Sequence, residues 1–313
     1  MDVVTIGPRE IRSVVSMPDA MRAVRDGFVD LTRGAFEMPA RTSLRDGAFL
    51  VMSAHHRPTA SAMIKTLSLD FDGREPAIVG TVVWSELGRT AHLVADAAEV
   101  TRLRTGAVVG VATELLAPPD ARTCAMIGAG GQAADQIRAV HTARPLSDVT
   151  IVDTDRGRAE RLAEVLAPEL PGTEIVVGTD VENACGGADV VCCATTATAP
   201  LFRPQALSDT AHVNAIGAFR PTMRELPDEL LADATVVVDE RAAVLKESGE
   251  VIHALRTGAI SEDDLTELGA ALTAGPPGPP GRTGRTVFKT VGVAVQDWAI
   301  AALLARRCLT AAG

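Results

Sequence analysis

One short segment constrains the fold of this chain more than any other. The apolar run Thr123-Cys-Ala-Met-Ile127 leads directly into Gly128-Ala-Gly-Gly-Gln-Ala133, which has the form G-x-G-x-x-A and is followed by a helical stretch. Glycine permits a tight turn and lets backbone N–H groups approach a pyrophosphate at a helix N-terminus. The next predicted strand, Val149 to Val152, ends at Asp153, where a carboxylate can accept hydrogen bonds from ribose hydroxyls. Together these features favour a dinucleotide-binding unit over a glycine turn that only packs a helix on a sheet.

The cofactor predicted for this unit is NAD. A carboxylate at Asp153 repels the 2′-phosphate of NADP, whereas the nearby Arg156 and Arg158 weaken that preference, so NADP is kept as the alternative. The residues predicted here to bind the cofactor are Gly128, Gly130, Gly131, Gln132, Ala133 and Asp153.

The pattern of apolar segments predicts an α/β chain with two domains. Six apolar strands in the second half, the first two separated by a helical segment, predict a doubly wound parallel sheet. Before Pro118-Pro119-Asp120 the pattern differs, with a helix over residues 17–34, short strands between residues 47 and 94, and a helix from Ala98 to Leu116. We therefore predict a domain boundary at the proline pair. The six strands are Cys124–Ile127, Val149–Val152, Glu174–Val177, Val190–Cys193, Val213–Ile216 and Val236–Val238.

Composition excludes several classes of function. The chain has 313 residues, with 30 Lys and Arg against 40 Asp and Glu, and the net charge of −10 argues against a nucleic-acid or membrane partner. It has no tyrosine, so the tyrosine acid of short-chain dehydrogenases is excluded. Five cysteines without a C-x-x-C pair, and no sign of a signal peptide, predict a reduced cytoplasmic chain. No metal site is expected, because His55 and His56, expected in a loop, lack a third ligand.

Separated cations in the first half are the candidates for chemistry. Arg41 and Arg104 have the side chain best suited to bidentate capture of a carboxylate. Lys65 lies in an apolar strand, where a lowered pKa would let it exchange protons with an imine or amine. The alternative for each residue is an ordinary surface charge. Elsewhere, Cys192-Cys193 is interpreted as buried core, and Glu225 with Asp228 as acids that compensate the dipole at a helix start.

Six ordered segments together resemble the ornithine cyclodeaminase and mu-crystallin family over nearly the whole chain. The stretch from Asn214 to Glu250 resembles the mu-crystallin, ketimine reductase branch. The segments are Pro39–Thr42, Leu103–Gly106, Ile127–Ala133, His212–Gly217, Leu245–Glu250 and Thr286–Gly292.

The resemblance implies a discontinuous first domain that binds substrate and forms a homodimer, residues 1–118 with 291–313, beside a Rossmann domain over residues 119–290. It also implies that Arg41 and Arg104 bind the substrate carboxylate and that Lys65 contacts substrate and moves protons. Thr195 and Ile216 correspond to strand ends that face the nicotinamide, and Asp153 to the ribose-binding position.

Two departures from the family pattern concern the substrate. Ornithine cyclodeaminases place an acid at the positions of Leu50 and Phe219, and this chain has neither. The leading hypothesis is therefore an NAD(P)-dependent enzyme that reduces a small 2-imino acid or oxidises the matching amino acid at C2. The alternatives are ornithine cyclodeamination to proline and ammonia, a non-catalytic mu-crystallin-like binding protein, and an amine-coupling synthase.

Overall fold

A computed structural model describes residues 2–70, 77–275 and 284–309 of the chain. The chain divides into two compact units, the first formed by Met1–Val108 with Val293–Gly313 and the second by Val109–Gly292. This division falls inside one helix, Ala97–Leu116, and not at the predicted boundary ten residues later. The proline pair at 118–119 ends that helix, because proline cannot continue it.

The second unit mostly alternates strands with helices, whereas the first is richer in consecutive strands. In chain order the described elements are β1 (Asp2–Ile6), α1 (Pro8–Val14), α2 (Met17–Thr32), β2 (Phe36–Glu37), β3 (Thr42–Leu44), β4 (Phe49–His56), β5 (Ser61–Leu69), β6 (Ile78–Glu86), β7 (Ala91–Asp96), α3 (Ala97–Leu116), β8 (Thr123–Ile127), α4 (Ala133–Ala143), β9 (Asp148–Val152), α5 (Arg156–Leu166), β10 (Glu174–Val177), α6 (Val181–Gly186), β11 (Val190–Cys193), β12 (His212–Ala215), α7 (Asp228–Asp233), β13 (Thr235–Val238), α8 (Arg241–Glu247), α9 (Gly249–Thr257), β14 (Leu265–Glu267), α10 (Leu268–Ala274), β15 (Thr286–Lys289) and α11 (Ala294–Cys308).

The first unit is built on a mostly antiparallel sheet. Among the described residues it has seven strands in the order β1-β7-β6-β5-β4-β2, with β3 also paired to β4, and β1 runs parallel to β7. Alternate residues of β5 are buried, which places Met63, Lys65 and Leu67 on one face. Helix α11 packs against β4, β5 and β6, so the last described helix belongs to this N-terminal unit. His55 and His56 are the last residues of β4, and the expectation that they lie in a loop was wrong.

The second unit confirms the predicted doubly wound parallel sheet. Its described strands number eight, in the order β10-β9-β8-β11-β12-β15-β13-β14, and every neighbouring pair is parallel. The six-strand prediction missed β14 and β15, although β15 lies between β12 and β13. The order reverses at β8, with β9 on one side and β11 on the other. Ligands of such sheets bind at the carboxyl ends of the strands that flank this reversal.

The central strands of this parallel sheet form the core of the second unit. Strands β11 and β12 are buried at every residue, as expected for a sheet covered by helices on both faces. Cys192 and Cys193 are fully buried, which confirms their interpretation as core, and all five cysteines are free thiols. Within residues 2–70, 77–275 and 284–309, no helix has the length and apolar character needed to span a bilayer.

Candidate active site

The turn between β8 and α4 has the geometry of a phosphate cradle. Gly128 adopts φ +97°, and an added Cβ there would lie 2.6 Å from the carbonyl oxygen of Ala194, so only glycine fits. At Gly130 and Gly131 an added Cβ would meet no atom within 4 Å, which leaves open space over the turn. Helix α4 begins at Ala133, whose N–H donates to the carbonyl oxygen of Gly130 at 3.0 Å, and the helix N-terminus at this turn favours an anion.

Asp153 stands beside this turn at the end of β9. Its Oδ2 accepts a 2.6 Å hydrogen bond from the backbone N–H of Ala129, and its Oδ1 accepts one of 2.7 Å from Asp155. The side chain is half-buried, so lone pairs remain for ribose hydroxyls. The buried side-chain oxygen of Gln132 accepts no hydrogen bond from any residue that the structure describes. The residues present therefore fit a dinucleotide.

The two arginines that weakened the preference for NAD both lie near carboxylates. Arg156 Nε lies 2.7 Å from Glu160 Oε1, and Arg158 Nε lies 3.6 Å from Asp155 Oδ2. These pairs reduce the positive charge that each side chain offers to a 2′-phosphate, although both pairs are exposed and therefore weak.

The strand ends predicted to face the nicotinamide are held together by Glu225. Thr195, just after β11, donates to Glu225 Oε1 from its backbone N–H at 2.6 Å and from its hydroxyl at 2.8 Å. Beyond β12, the backbone N–H groups of Gly217 and Ala218 donate to Glu225 Oε2 at 2.8 and 3.2 Å. Ile216 lies between these contacts and is buried.

Glu225 corrects one interpretation of the sequence. Helix α7 begins at Asp228, three residues after Glu225, so Glu225 does not compensate a helix dipole. Asp228 does lie in the first turn, where it also accepts a hydrogen bond from His253 Nδ1 at 2.8 Å. Sequence reasoning missed the role of Glu225 because its partner Thr195 lies 30 positions away.

In the first unit, Lys65 belongs to a buried cluster of charges. Its side chain is completely buried, and Nζ donates to Thr101 Oγ1 at 2.6 Å and to Asp297 Oδ1 at 2.7 Å. Arg104 Nε lies 3.4 Å from the same carboxylate oxygen, and its Nη1 donates to Gln296 Oε1. The alternative of ordinary surface charges was wrong for these two residues.

Burial and the neighbouring charges set the pKa of Lys65. Burial lowers the pKa of Lys65 to about 8, the carboxylate of Asp297 opposes this shift, and the charges of Arg104 and Arg41 add to it. Arg41 lies on the segment between β2 and β3 and is half-buried. Its positive charge acts on the pKa of Lys65 in the same direction as that of Arg104. A lysine with a pKa close to neutral can both donate and accept a proton during turnover.

Asp297 and Thr101 are functional candidates that sequence reasoning missed. Asp297 Oδ2 is buried and accepts no hydrogen bond from the described part of the chain, so the carboxylate keeps an acceptor for a further donor. Neither residue belongs to a motif that could have identified it, since the contact with Lys65 spans 232 positions for Asp297.

The two positions that depart from the cyclodeaminase pattern lie in different units. Leu50 pairs with Leu67 across β4 and β5, two residues from the Met52–Lys65 pair, so it shares the buried face of Lys65. Phe219 lies in the second unit, half-buried against its apolar core, with Arg220 Cζ 5.5 Å from the ring centroid. In the described residues, no group of three or more His, Cys, Asp or Glu side chains is arranged to hold a metal ion.

Comparison with known proteins matches one family along almost the whole length. The model of the "Ornithine cyclodeaminase/mu-crystallin family" matches residues 5–311. The chain is 28% identical to a Delta(1)-pyrroline-2-carboxylate reductase of Bacillus cereus over 96% of this chain and 95% of that protein. It is 37% identical to ketimine reductase mu-crystallin of Mus musculus, over 67% of this chain and 63% of the mouse protein. It is also 37% identical to L-lysine cyclodeaminase of Streptomyces rapamycinicus, over 72% of this chain and 68% of that enzyme.

Solved structures agree with this result. Delta(1)-pyrroline-2-carboxylate reductase of Thermococcus litoralis, in complex with NADH and L-proline, superposes with a TM-score of 0.92 at 26% identity, covering 99% of this chain and 98% of that one. An archaeal alanine dehydrogenase dimer with bound NAD gives a TM-score of 0.90 at 26% identity, covering 100% of this chain and 98% of that one.

Proposed function

Because the chain belongs to the ornithine cyclodeaminase/mu-crystallin family, we propose that it is an NAD-dependent oxidoreductase acting at C2 of a small 2-imino or 2-amino acid. The observation that carries this proposal is the buried Lys65, with its pKa near 8, beside Arg104 in a chain that also has a complete dinucleotide cradle. A bound nicotinamide cofactor supplies or accepts hydride at C2 of the substrate.

The two arginines orient the substrate through its carboxylate. Arg104 is suited to this because Gln296 and Asp297 hold its guanidinium in place, which orients its fork of N–H groups. Arg41, on the segment before β3, supplies the second positive charge. A clamped carboxylate fixes C2 and its nitrogen relative to the protein, which lowers the entropic part of the barrier.

Lys65 moves the proton that accompanies reduction. Near neutral pH its ammonium form predominates, and it protonates the imine nitrogen, which makes C2 more electrophilic. In the oxidative direction the neutral amine of Lys65 removes a proton from the substrate ammonium. Asp297 keeps Nζ in one position in both states.

The substrate tail is expected to be apolar or cyclic. Leu50 lies on the buried face that carries Lys65, and Phe219 replaces the acid that would bind a distal ammonium. Desolvating an ammonium without a counter-ion costs several kcal/mol. Pyrroline-2-carboxylate, whose ring carries no second charge, avoids this penalty, and two relatives named above are reductases of that compound.

Cyclodeamination is the second candidate, and one observation favours it. L-Lysine cyclodeaminase of Streptomyces rapamycinicus is as similar in identity to this chain as the mouse ketimine reductase is. Such a reaction uses NAD catalytically and releases ammonia without net change in NADH. Ammonia release therefore discriminates it from reduction.

The deciding experiment runs two assays on the purified protein. The first follows NADH absorbance with pyrroline-2-carboxylate, and the second detects ammonia from ornithine or lysine with NAD. We expect NADH consumption in the first and no ammonia in the second. Ammonia without NADH consumption would instead establish a cyclodeaminase and reject the reductase proposal.

We also propose that the protein is a cytoplasmic homodimer. The face of the first sheet opposite Lys65 exposes the apolar side chains of Ile64 and Val79, on neighbouring strands β5 and β6. A second copy of the chain would cover this surface. Light scattering after gel filtration tests the dimer, and Ile64→Lys is expected to produce monomers if the proposal is correct. The five free thiols agree with a reducing compartment.

A further inference from the structure

Three buried ionisable side chains of the second unit lie beside the ends of β11 and β12 without a part in the reaction proposed above. Glu225, Glu250 and Lys289 are each completely buried. Lys289 Nζ lies 2.9 Å from Glu250 Oε1 and donates to the carbonyl oxygen of Ala218 at 2.6 Å. Ala218 also donates its N–H to Glu225, so one residue links all three groups. We call these three side chains the buried acid cluster.

The hydrogen bonds of Glu225 favour its ionised form. Its two oxygens face three backbone N–H groups, from Thr195, Gly217 and Ala218, and these can only donate. The Thr195 hydroxyl accepts from the N–H of Ala197 and is thereby directed to donate to Glu225 as well. These four donors favour the ionised carboxylate of Glu225, while burial raises its pKa and Lys289 opposes that change.

A close contact of Gly249 holds the second acid, Glu250, near the segment that carries Glu225. Glu250 follows Gly249 in the first turn of α9, and an added Cβ on Gly249 would lie 1.8 Å from the carbonyl oxygen of Met223. The helix start therefore packs directly on the segment that carries Glu225. Both carboxylates also influence Cys193 at the end of β11, where burial raises the pKa of the thiol and the two negative charges add to the effect.

The strand order determines which half of a dinucleotide meets this cluster. Asp153, the ribose acceptor, follows β9, and the glycine turn follows β8. Since the strands run β9-β8-β11-β12, the other half of the cofactor must pass over the ends of β11 and β12. Gly128 of the phosphate turn packs against Ala194 and Thr195. Because Thr195 is hydrogen-bonded to Glu225, the turn is in direct contact with a residue bound by the cluster.

We propose that the buried acid cluster, with two carboxylates against one ammonium, binds the oxidised, cationic nicotinamide more tightly than the reduced, neutral ring. This inference rests on the proposed function, because it concerns the cofactor of that reaction. A net negative charge in a buried environment is weakly screened and stabilises a nearby positive charge. Bound NADH is thereby a stronger hydride donor, which suits the reduction of an imine. Glu225 and Glu250 act as positioning residues and as sources of this field.

The test measures dissociation constants of NAD⁺ and NADH by fluorescence and calorimetry, without substrate. Glu250→Gln keeps the shape of the side chain and removes one negative charge. We expect the ratio of the NAD⁺ constant to the NADH constant to rise about 5- to 20-fold, the order of magnitude for removing one unit charge from a weakly screened site. Glu225→Gln is the second variant and should raise the same ratio while weakening both forms.

The matched control is Asp189→Asn. Asp189 also accepts backbone N–H bonds, from Arg122 and Thr123, but it precedes β11 at the opposite end of the same sheet. Its substitution should leave the ratio unchanged. Equal weakening of both cofactor forms in the folded Glu250 and Glu225 variants would show that the cluster is only structural and would overturn the proposal. A wild-type protein that binds neither form would instead reject the proposed function itself.

Discussion

Lys65 Nζ donates a 2.7 Å hydrogen bond to Asp297 Oδ1, although the two residues are 232 positions apart. Both side chains are completely buried, Lys65 on strand β5 and Asp297 on the last helix. The helix packs on the sheet of the N-terminal unit and so brings its carboxylate to the lysine. The ionisation of the proposed proton donor therefore depends on a residue near the opposite end of the chain.

Replacing Lys65 with Met should remove proton transfer while keeping the volume of the side chain. Turnover is expected to fall at least ~100-fold, within the usual range for a general acid. NADH affinity should change by less than about 2-fold, because the dinucleotide cradle lies in the other unit. Steady-state kinetics and fluorescence titration measure the two effects. The exposed Lys246→Met is the control, and unchanged turnover in the Lys65 variant would remove this residue from the mechanism.

Asp297→Asn should move the pH profile of reduction toward lower pH. Reduction needs the ammonium form of Lys65, so kcat/KM should fall as the pH rises through its pKa of about 8. Asp297 raises that pKa, and its removal should lower it further. The oxidative reaction needs the neutral amine and should show the opposite slope.

A control variant distinguishes the shift of the pH profile caused by Asp297 from the effect of removing any buried carboxylate. Glu99 is a buried acid on α3 that pairs with Arg12 and Arg102 and not with Lys65. Glu99→Gln should leave the position of the profile unchanged. If the Asp297 variant kept the wild-type profile or moved it upward, Asp297 would not control the lysine.

Asp153→Ser tests the ribose contact. The substitution removes both carboxylate oxygens, and NADH should bind about 10-fold more weakly, the usual effect of losing one or two hydrogen bonds to a charged group. NADPH should lose less affinity, because the repulsion of its 2′-phosphate disappears as well. Asp155→Asn at the start of α5 is a control for the local loop. Unaltered NADH affinity in the Ser variant would show that the ribose assignment is wrong.

Phe219→Asp tests whether the missing acid sets the substrate. A carboxylate at this position would pair with the distal ammonium of ornithine. We therefore expect detectable ammonia release and slower imine reduction. Phe219→Leu keeps the apolar character and should release none. The double variant with Leu50→Glu should release more ammonia than the single one. Absence of ammonia from both acidic variants would place substrate selection at other residues.

In the second unit, apolar patterns in the sequence predicted most of the strands. Strands β8, β9, β10, β11, β12 and β13 were predicted because each is a short apolar run, and most of them are buried almost throughout. Strand β15 was missed because it has only four residues, of which Val287 and Phe288 alone are apolar. Strand β15 lies inside the sheet, where the buried ammonium of Lys289 is paired with the carboxylate of Glu250. This pairing exists only in the folded chain.

The sequence by itself determined the family, the doubly wound sheet and the nucleotide turn, because the contacts of that turn lie within a few tens of residues and depend on glycine and one acid. It also identified Lys65 as a residue of interest. Only the tertiary structure decided that Lys65 is buried against Asp297 and that Glu225 joins the ends of two strands. Charged residues are normally exposed, so their burial requires partners, and here those partners come from distant parts of the chain.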